Sequence, residues 1–515
     1  MASPTAAVLP WVVPVIVVLL VYGIQRRRHY ARLPPGPFPL PILGNIFDFP
    51  RKHLGREFAA LSSKFGDIVY LNLLGQDAIF LGSLKAARDL LDKRSANYSN
   101  RPESIMVQLV EFGWFTALMN YGPRWRQHRC AIHLTMGPEV VPQYEGIQSD
   151  AARNFLRDLL RDPQDLASHI KFTVTATTMR AIYGIEVPRK KDDKYYQMLE
   201  RMAEVAEAIL LPGKFHVEAL PVLRYLPAWF PGGGFKTWAA DAKRDLAYIL
   251  DYLFSGAKAV MGDSSRRSVV SRILEDSESQ EEQMVELEKM CKEVAATLYA
   301  GVADTLKVQL EGFFMAMTLY PEAQSKAQEE LDAVVGTERL PEFSDRPTLP
   351  YLSALVKELL RWHPVAPLGL PHRVVADDEY KGYLIPGGAT VFVNVWAILC
   401  DPEVYPQPHD FVPERFLDSA GNLDVHGRDP ADVVFGFGRR VCPGRHFAES
   451  TMFILCASVL SAFEIGPPVG EDGAAIEVKW EATDHLVVSH PKVHKYSIKP
   501  RSSHVGQLVE TAAAH

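Results

Sequence analysis

The chain of 515 residues is 47% hydrophobic and 23% charged. That is enough apolar mass to bury roughly three quarters of the unfolded surface, which excludes a disulfide-stapled miniprotein and a wholly disordered chain. Its 62 acidic against 55 basic residues leave a net charge of -7, so a chain-wide nucleic-acid footprint is excluded and charged partners must be read from local patches. Cys130, Cys291, Cys400, Cys442 and Cys456 are odd in number and lack paired CxxC spacing, as suits a reducing compartment.

Taken in chain order, Ala6 to Ile24 is an uncharged apolar run, about 28 Å long as a helix. Arg26, Arg27, Arg28, His29 and Arg32 follow it, whereas a cleavable signal carries its basic residues in front. Residues 1–25 are therefore expected to be a retained single-pass anchor with the remainder cytoplasmic. Residues 26–45 form a basic and proline-rich linker, in which LPPGPFPLPILGN from Leu33 denies the backbone the donors a helix needs. The body, 46–499, reads as one domain, and 500–515 as a polar tail.

Within the body, alternation predicts strands at Asp67 to Leu73, Asp77 to Leu81, Tyr383 to Ile385 and Thr390 to Asn394, joined in one small sheet. Helical periodicity predicts Leu84 to Leu91, Arg124 to Met136, Tyr144 to Arg161, Lys236 to Phe254, Glu282 to Leu319, Pro321 to Val335, Tyr351 to Arg361 and Arg445 to Phe463. The charged region Gly262 to Glu282 is expected to be a mobile surface connection. The fold class is thus mainly α with small β-sheets.

The strongest chemical feature is the glycine-rich, basic segment Phe435-Gly436-Phe437-Gly438-Arg439-Arg440-Val441-Cys442-Pro443-Gly444. Adjacent arginines and the dipole of the following helix favour the Cys442 thiolate, which could attack a substrate or ligate iron. In Lys357-Glu358-Leu359-Leu360-Arg361, the acid and the guanidinium share one helix face and can pair. Trp125 and Arg129 likewise share a face. Asp304 and Thr305 lie mid-way along the longest helix, where the threonine hydroxyl can bond a carbonyl one turn earlier. His128, His133 and His363 read as surface or capping histidines, because no pair has metal-ligand spacing.

The cysteine segment resembles the haem-binding signature of the cytochrome P450 family, FxxGxRxCxG, with Phe435, Gly438, Arg440, Cys442 and Gly444 in its slots. The resemblance implies the P450 fold with an N-terminal transmembrane helix, and haem b held by Cys442 as axial thiolate and sole protein ligand to the metal. Phe435 would then pack near the sulfur and Arg440 would pair with a propionate. Glu358 and Arg361 resemble the ExxR element and Pro413-Glu414-Arg415-Phe416 the PERF element, so Glu358, Arg361 and Arg415 are expected to form a buried structural triad. Trp125 and Arg129 match WxxxR; with His372 they are implied propionate contacts. Gly301-Val302-Ala303-Asp304-Thr305-Leu306 resembles the family's [AG]-G-x-[DE]-T-[TS], which makes Asp304 and Thr305 the catalytic proton-delivery pair. Val302, Leu306 and Lys307 depart from that pattern, and a tighter groove beside the haem is expected from the valine branch.

The implied activity is monooxygenation. One atom of O2 enters a C-H bond of a lipophilic or aromatic small molecule, with a rearranging isomerase or dehydratase on the same scaffold as the alternative. The chain carries no flavin or nicotinamide fingerprint. By resemblance to membrane-bound fungal members, electrons come from an NADPH-cytochrome P450 reductase, with cytochrome b5 as a further donor. Arg124, Arg126, Arg129, Arg439 and Arg445 would lie around the docking face. The same resemblance implies contact with membrane lipid at the endoplasmic reticulum and no nucleic-acid partner. It places Arg101 to Trp114, Val302 to Leu306, Val365 to Leu370 and Leu486 to Val488 around the substrate. The stretch from Pro212 to Pro231 resembles basidiomycete members.

Overall fold

Strands β1 (Ile68–Leu73) and β2 (Gln76–Leu81) form an antiparallel hairpin. Its tight turn needs positive φ at Leu74 (53°) and Gly75 (90°). The Asn72 side chain accepts a hydrogen bond from Gly75 N at 3.0 Å and steadies that turn. The computed structural model describes residues 30–512 apart from 190–193, 212, 264–265, 276–280, 471, 485–486 and 493–494. The expected anchor, part of the linker, Pro212 and Leu486 lie outside the described residues. Among the described residues no helix is long and apolar enough to cross a membrane.

The hairpin recruits strands from far along the chain. β3 (His372–Arg373), β4 (Asp378–Tyr380), β5 (Tyr383–Ile385) and β6 (Thr390–Val393) follow one another closely. The sheet runs β1-β2-β6-β3, with β2 parallel to β6 from Ala78↔Thr390 to Leu81↔Val393. The single-sheet expectation is corrected for Tyr383 to Ile385. Positive φ at Lys381 and Gly382 folds that strand back on β4 as a separate hairpin. Late in the chain, β7 (Phe463–Gly466) pairs with β10 (Ser497–Pro500), and β8 (Ala482–Asp484) with β9 (Ser489–Pro491).

Helices make up most of the remainder. In chain order the ones that matter below are α1 (Leu54–Phe65), α2 (Ile105–Leu109), α3 (Pro123–Met136), α4 (Glu145–Arg161), α5 (Leu166–Tyr183), α6 (Lys194–Leu210), α7 (His216–Ala219), α8 (Gly234–Val260), α9 (Val269–Glu275), α10 (Glu281–Leu319), α11 (Pro350–Trp362), α12 (Arg445–Ala462) and α13 (Val505–Ala512). α10 has 39 residues, about 58 Å of helix, and packs along α5, with α4 bridging α5 to α12. Leu84 to Leu91 is not one regular helix: Leu84–Ala87 passes into a π turn over Arg88–Asp92.

Two surface expectations are corrected. Within Gly262 to Glu282, α9 is packed inside the core, with Val269 and Val270 fully buried; four apolar residues among charged neighbours are enough to dock one face. The tail likewise ends in α13, which seats Val505 and Val509 against the body.

Candidate functional site

Cys442 lies in a loop between the short helix Ala431–Val434 and α12. Its N–H donates to Phe435 O at 2.6 Å, which closes the loop beneath the half-buried Phe435 ring. Gly438 has φ +55°, and a Cβ there would lie 2.2 Å from Leu91 O. Only glycine lets the loop press against the π turn, a helix irregularity typical of functional sites. Burial raises the Cys442 pKa, and Gly444 N–H, Arg129 and Arg445 offset it only in part. Arg129, Arg445 and the Gly444 N–H therefore favour the thiolate, as expected, against the desolvation that opposes it. All five cysteines are free; Cys130 is exposed, whereas burial pushes Cys400 up to about 11 and Cys291 up to about 12.

Beside the loop stands a cluster of basic side chains, buried or half-buried. Trp125 and Arg129 come from α3, His372 from β3, and Arg440 from the cysteine loop. The Arg440 guanidinium lies 4.7 Å and that of Arg129 5.7 Å from the Trp125 ring centroid. Arg129 donates to Val441 O at 2.8 Å. Arg440 donates to Ser99 O at 2.7 Å and Met119 O at 2.5 Å. Arg101, which sequence reasoning assigned only to the substrate side, joins them: it is 5% exposed and donates to Ala117 O, Leu370 O and Pro371 O. Its signal was an arginine opening an otherwise largely apolar stretch.

None of the three arginines forms an ion pair with a carboxylate among the described residues. Burial first, then repulsion from Arg440, pushes Arg101 down to about 9; burial and Arg129 push Arg440 down to about 10. Burial, with Arg101 and Arg440 adding to it, holds the His372 pKa far below its usual value. His372 Nδ1 lies 2.7 Å from Tyr98 O, so that nitrogen carries the hydrogen. One buried and two half-buried guanidiniums, hydrogen-bonded only to carbonyls, fit a ligand bearing two carboxylates, as haem does. Among the described residues no group of three or more His, Cys, Asp or Glu could chelate a bare ion. Cys442 could therefore hold iron only within a centre that brings its remaining ligands with it.

α10 is buried from Val294 to Tyr299 and again from Val308 to Thr318, yet Gly301 and Thr305 are exposed between those stretches. One face of a core helix therefore opens for about one turn. Thr305 Oγ1 donates to Gly301 O at 2.7 Å. Asp304 Oδ2 lies 3.4 Å from His490 Nε2 of β9, a partner the sequence pattern did not reveal. Val302 and Leu306 are buried, and Val302 Cγ2 lies 4.0 Å from where a Gly444 Cβ would stand, so the valine packs towards the cysteine loop. Lys307 Nζ is 3.8 Å from Glu311 Oε1. Burial, helped by Asp304 and opposed by Lys307, pushes Glu311 up to about 7.

The remaining named residues also meet. Arg361 Nε and Nη2 donate to Glu358 Oε2 and Oε1, both at 2.7 Å, and the two side chains have no exposed surface. Arg415 Nε donates to Glu358 Oε1 at 3.3 Å, with 9% of its side chain exposed. Of the three histidines read as surface or capping groups, His128 is corrected, whereas His363 does cap the C-terminus of α11, its N–H donating to Leu359 O at 3.1 Å. His128 is buried between Thr116 Oγ1 (2.8 Å) and Glu293 (3.2 Å), and His363 is buried against Trp480, with burial pushing its pKa down to about 3. His128 lies on a helix, α3, and meets Glu293 of the distant α10, whereas His363 lies just past the end of α11 and meets Trp480.

Residues 34–497 match the family model described as cytochrome P450. Similar proteins include a cytochrome P450 monooxygenase of Coprinopsis cinerea, 37% identical over 97% of this chain and 94% of that one. A cytochrome P450 monooxygenase of Postia placenta is 39% identical over 96% of each chain. The tryptamine 4-monooxygenase of Psilocybe cyanescens is 35% identical over 94% of this chain and 96% of that one. With the cysteine loop, the unpaired arginines and the opened turn of α10, these matches establish that the chain belongs to the cytochrome P450 family, as an oxidoreductase of the monooxygenase kind found in basidiomycete fungi.

Proposed function

We propose that this enzyme binds haem b through Cys442 and inserts one atom of O2 into a C-H bond of a lipophilic or aromatic small molecule, such as a terpenoid, polyketide or indole. The other oxygen atom leaves as water, and NADPH, through a flavoprotein reductase, supplies the two electrons. The observation that carries this reading is the cluster of buried Arg101 with half-buried Arg129 and Arg440, which has no carboxylate partner among the described residues and sits beside the Cys442 loop.

Haem bound there would supply the reductive activation of O2. Cys442 Sγ would hold its iron, and the arginines with Trp125 and His372 would hold its carboxylates. Across from them, Thr305 keeps its hydroxyl hydrogen on Gly301 O until rotation about χ1 turns it to the open face of α10. Asp304 can replace that proton from the His490 side, which admits protons while the apolar surroundings exclude bulk water. Glu358, Arg361 and Arg415 act at a distance by fixing the segment that precedes the cysteine loop. Similarity along nearly the whole chain to a tryptamine 4-monooxygenase supports an aromatic substrate.

Membrane attachment is part of the proposal. Exposed Phe38 (68%), Ile42 (91%) and Phe47 (70%) lie in one segment, and exposed Val222 (69%), Tyr225 (78%) and Trp229 (82%) in another. Both approach the β1–β2 turn: Gly44 bridges to Leu73, and Gln76 Nε2 donates to Glu218 O at 3.4 Å. An apolar surface of this kind suits a bilayer, and residues 1–25 would anchor it at the endoplasmic reticulum with the catalytic body in the cytoplasm. On the docking side, Arg126 and Arg439 cover Tyr121 at 5.7 and 4.5 Å and suit an acidic flavin domain, with cytochrome b5 as a second donor.

The deciding experiment compares reduced, carbon-monoxide-treated protein before and after Cys442→Ala. The thiolate-type absorption band must vanish in the variant, and an unchanged band would reject the axial assignment. Products from a panel of terpenes, polyketides and indoles, incubated with reductase and NADPH, must carry oxygen from labelled O2. Conversion without reductase or O2 would instead mark a rearranging enzyme.

A further inference from the structure

Helix α2 has only five residues, too few to persist on their own backbone hydrogen bonds. Its first amides are satisfied from elsewhere. Val107 N donates to Ser104 Oγ at 3.0 Å, the ordinary local cap. Ile105 N and Met106 N donate instead to Glu218 Oε2 and Oε1, at 3.0 and 2.8 Å, and Ser104 Oγ donates to Oε1 at 2.6 Å. Glu218 lies more than 110 positions later, in α7, within the connection between α6 and α8. One carboxylate thus takes three donors from a single helix start, where its charge also suits the helix dipole.

The location gives that contact a role. Arg101 and Thr116, which flank α2, are both pinned at the cation cluster: Arg101 donates to Leu370 O and Pro371 O, and Thr116 O accepts from Arg440 Nη1 at 3.4 Å. Thr116 N also donates to Thr297 Oγ1 of α10 at 3.2 Å, two turns before Thr305. Residues 102–115 therefore leave the haem-binding cluster, form α2, and return. At the far end of this excursion, α7 and α8 meet α2, and Lys243 of α8 pairs with Glu111. Met106, Phe112 and Phe115 turn inward from the excursion into the core.

We propose that Glu218 is a positioning residue: by capping α2 from α7, it holds the 102–115 excursion in place and sets the size of molecule that reaches the haem. The proposal rests on the haem-monooxygenase reading for its consequence, but the capping contact itself does not. Loss of the carboxylate frees two amides and the Ser104 hydroxyl together, so α2 should fray while the cation cluster remains pinned.

The test uses holoprotein and three variants, Glu218→Ala, Glu218→Gln and Ser104→Ala. Hydrogen exchange is followed in the peptide containing residues 105–107. Stopped-flow absorbance follows haem binding by two probes, imidazole and 4-phenylimidazole. Glu218→Ala should speed exchange about tenfold or more, with Ser104→Ala moving in the same direction and Glu218→Gln, which keeps an acceptor, falling between. Association of 4-phenylimidazole should quicken severalfold while that of imidazole stays within about twofold, because only the larger probe needs the excursion to move. The carbon-monoxide spectrum should be unchanged. Unaltered exchange in Glu218→Ala, or equal effects on both probes, would overturn the proposal. If wild-type protein bound neither azole, the haem reading would fail, and the exchange result would still decide the cap.

Discussion

Alanine at position 358 removes the only carboxylate facing two guanidiniums. Arg361 would keep its carbonyl partners, Pro408 O at 2.7 Å and Asp410 O at 2.9 Å, but lose its counter-charge in a position with no exposed surface. Val412 N, which donates to Glu358 Oε1 at 2.8 Å, would also be left without its acceptor. Stranding one member of a buried pair costs about 3 to 5 kcal/mol, and an orphaned buried amide about 1 to 3. These terms overlap, so a loss of order 5 kcal/mol is expected, comparable with the whole stability of many domains. Denaturant titration followed by circular dichroism, with the haem-to-protein absorbance ratio of the purified protein, measures the effect. Arg415→Ala should cost less, because Arg415 reaches the surface and makes the longer 3.3 Å contact. A loss under about 1 kcal/mol for Glu358→Ala, or a larger loss for Arg415→Ala, would refute the stranded-charge argument.

Glu311 has the opposite sign from an ordinary paired carboxylate: its folded-state pKa is raised from 4.5 to about 7. The folded protein therefore binds the extra proton between those values, and its stability contribution is full below about pH 4.5 and falls as pH rises to about 7. Glu311→Gln should flatten that fall and stabilise the protein at pH 8, by at most about 3 kcal/mol; melting temperatures at pH 5 and pH 8 that change in parallel for both proteins would contradict it. Gly438→Ala should displace the cysteine loop from Leu91, because the added methyl has no free position and the backbone has positive φ. The expected result is loss of haem incorporation with helical content retained, and full incorporation would show that the loop can shift without consequence.

Local pattern was enough where one face of an element meets the core. The helices expected at Pro321 to Val335 and Tyr351 to Arg361 from apolar spacing, with no knowledge of their partners, fall within one residue of the observed Pro321–Val334 and Pro350–Trp362, each of which begins at a proline. α5 escaped notice because its threonines blur the pattern: Thr177 and Thr178 bond back to Thr173 O and Val174 O, both at 2.6 Å, and the helix is buried on most sides. No amphipathic stripe marks such a helix. At the site, Cys442 and the Glu358–Arg361 spacing stand out in a single segment. Arg101, His490 and Glu218 do not, because each takes its meaning from a residue more than 100 positions away.

The parallel pairing of β2 with β6 joins Ala78 to Thr390, and Arg440 closes on Ser99 O across 341 positions. At roughly 5 to 20 residues per second, a ribosome needs on the order of 15 to 60 seconds to deliver the second half of either contact after the first has emerged. Throughout that interval one edge of β2 is unpaired and the carbonyls destined for Arg440 are open to water. Nascent chains halted between residues 100 and 370 should therefore be the aggregation-prone species, and cofactor capture becomes an event of the last stage of synthesis, dependent on haem supply at release.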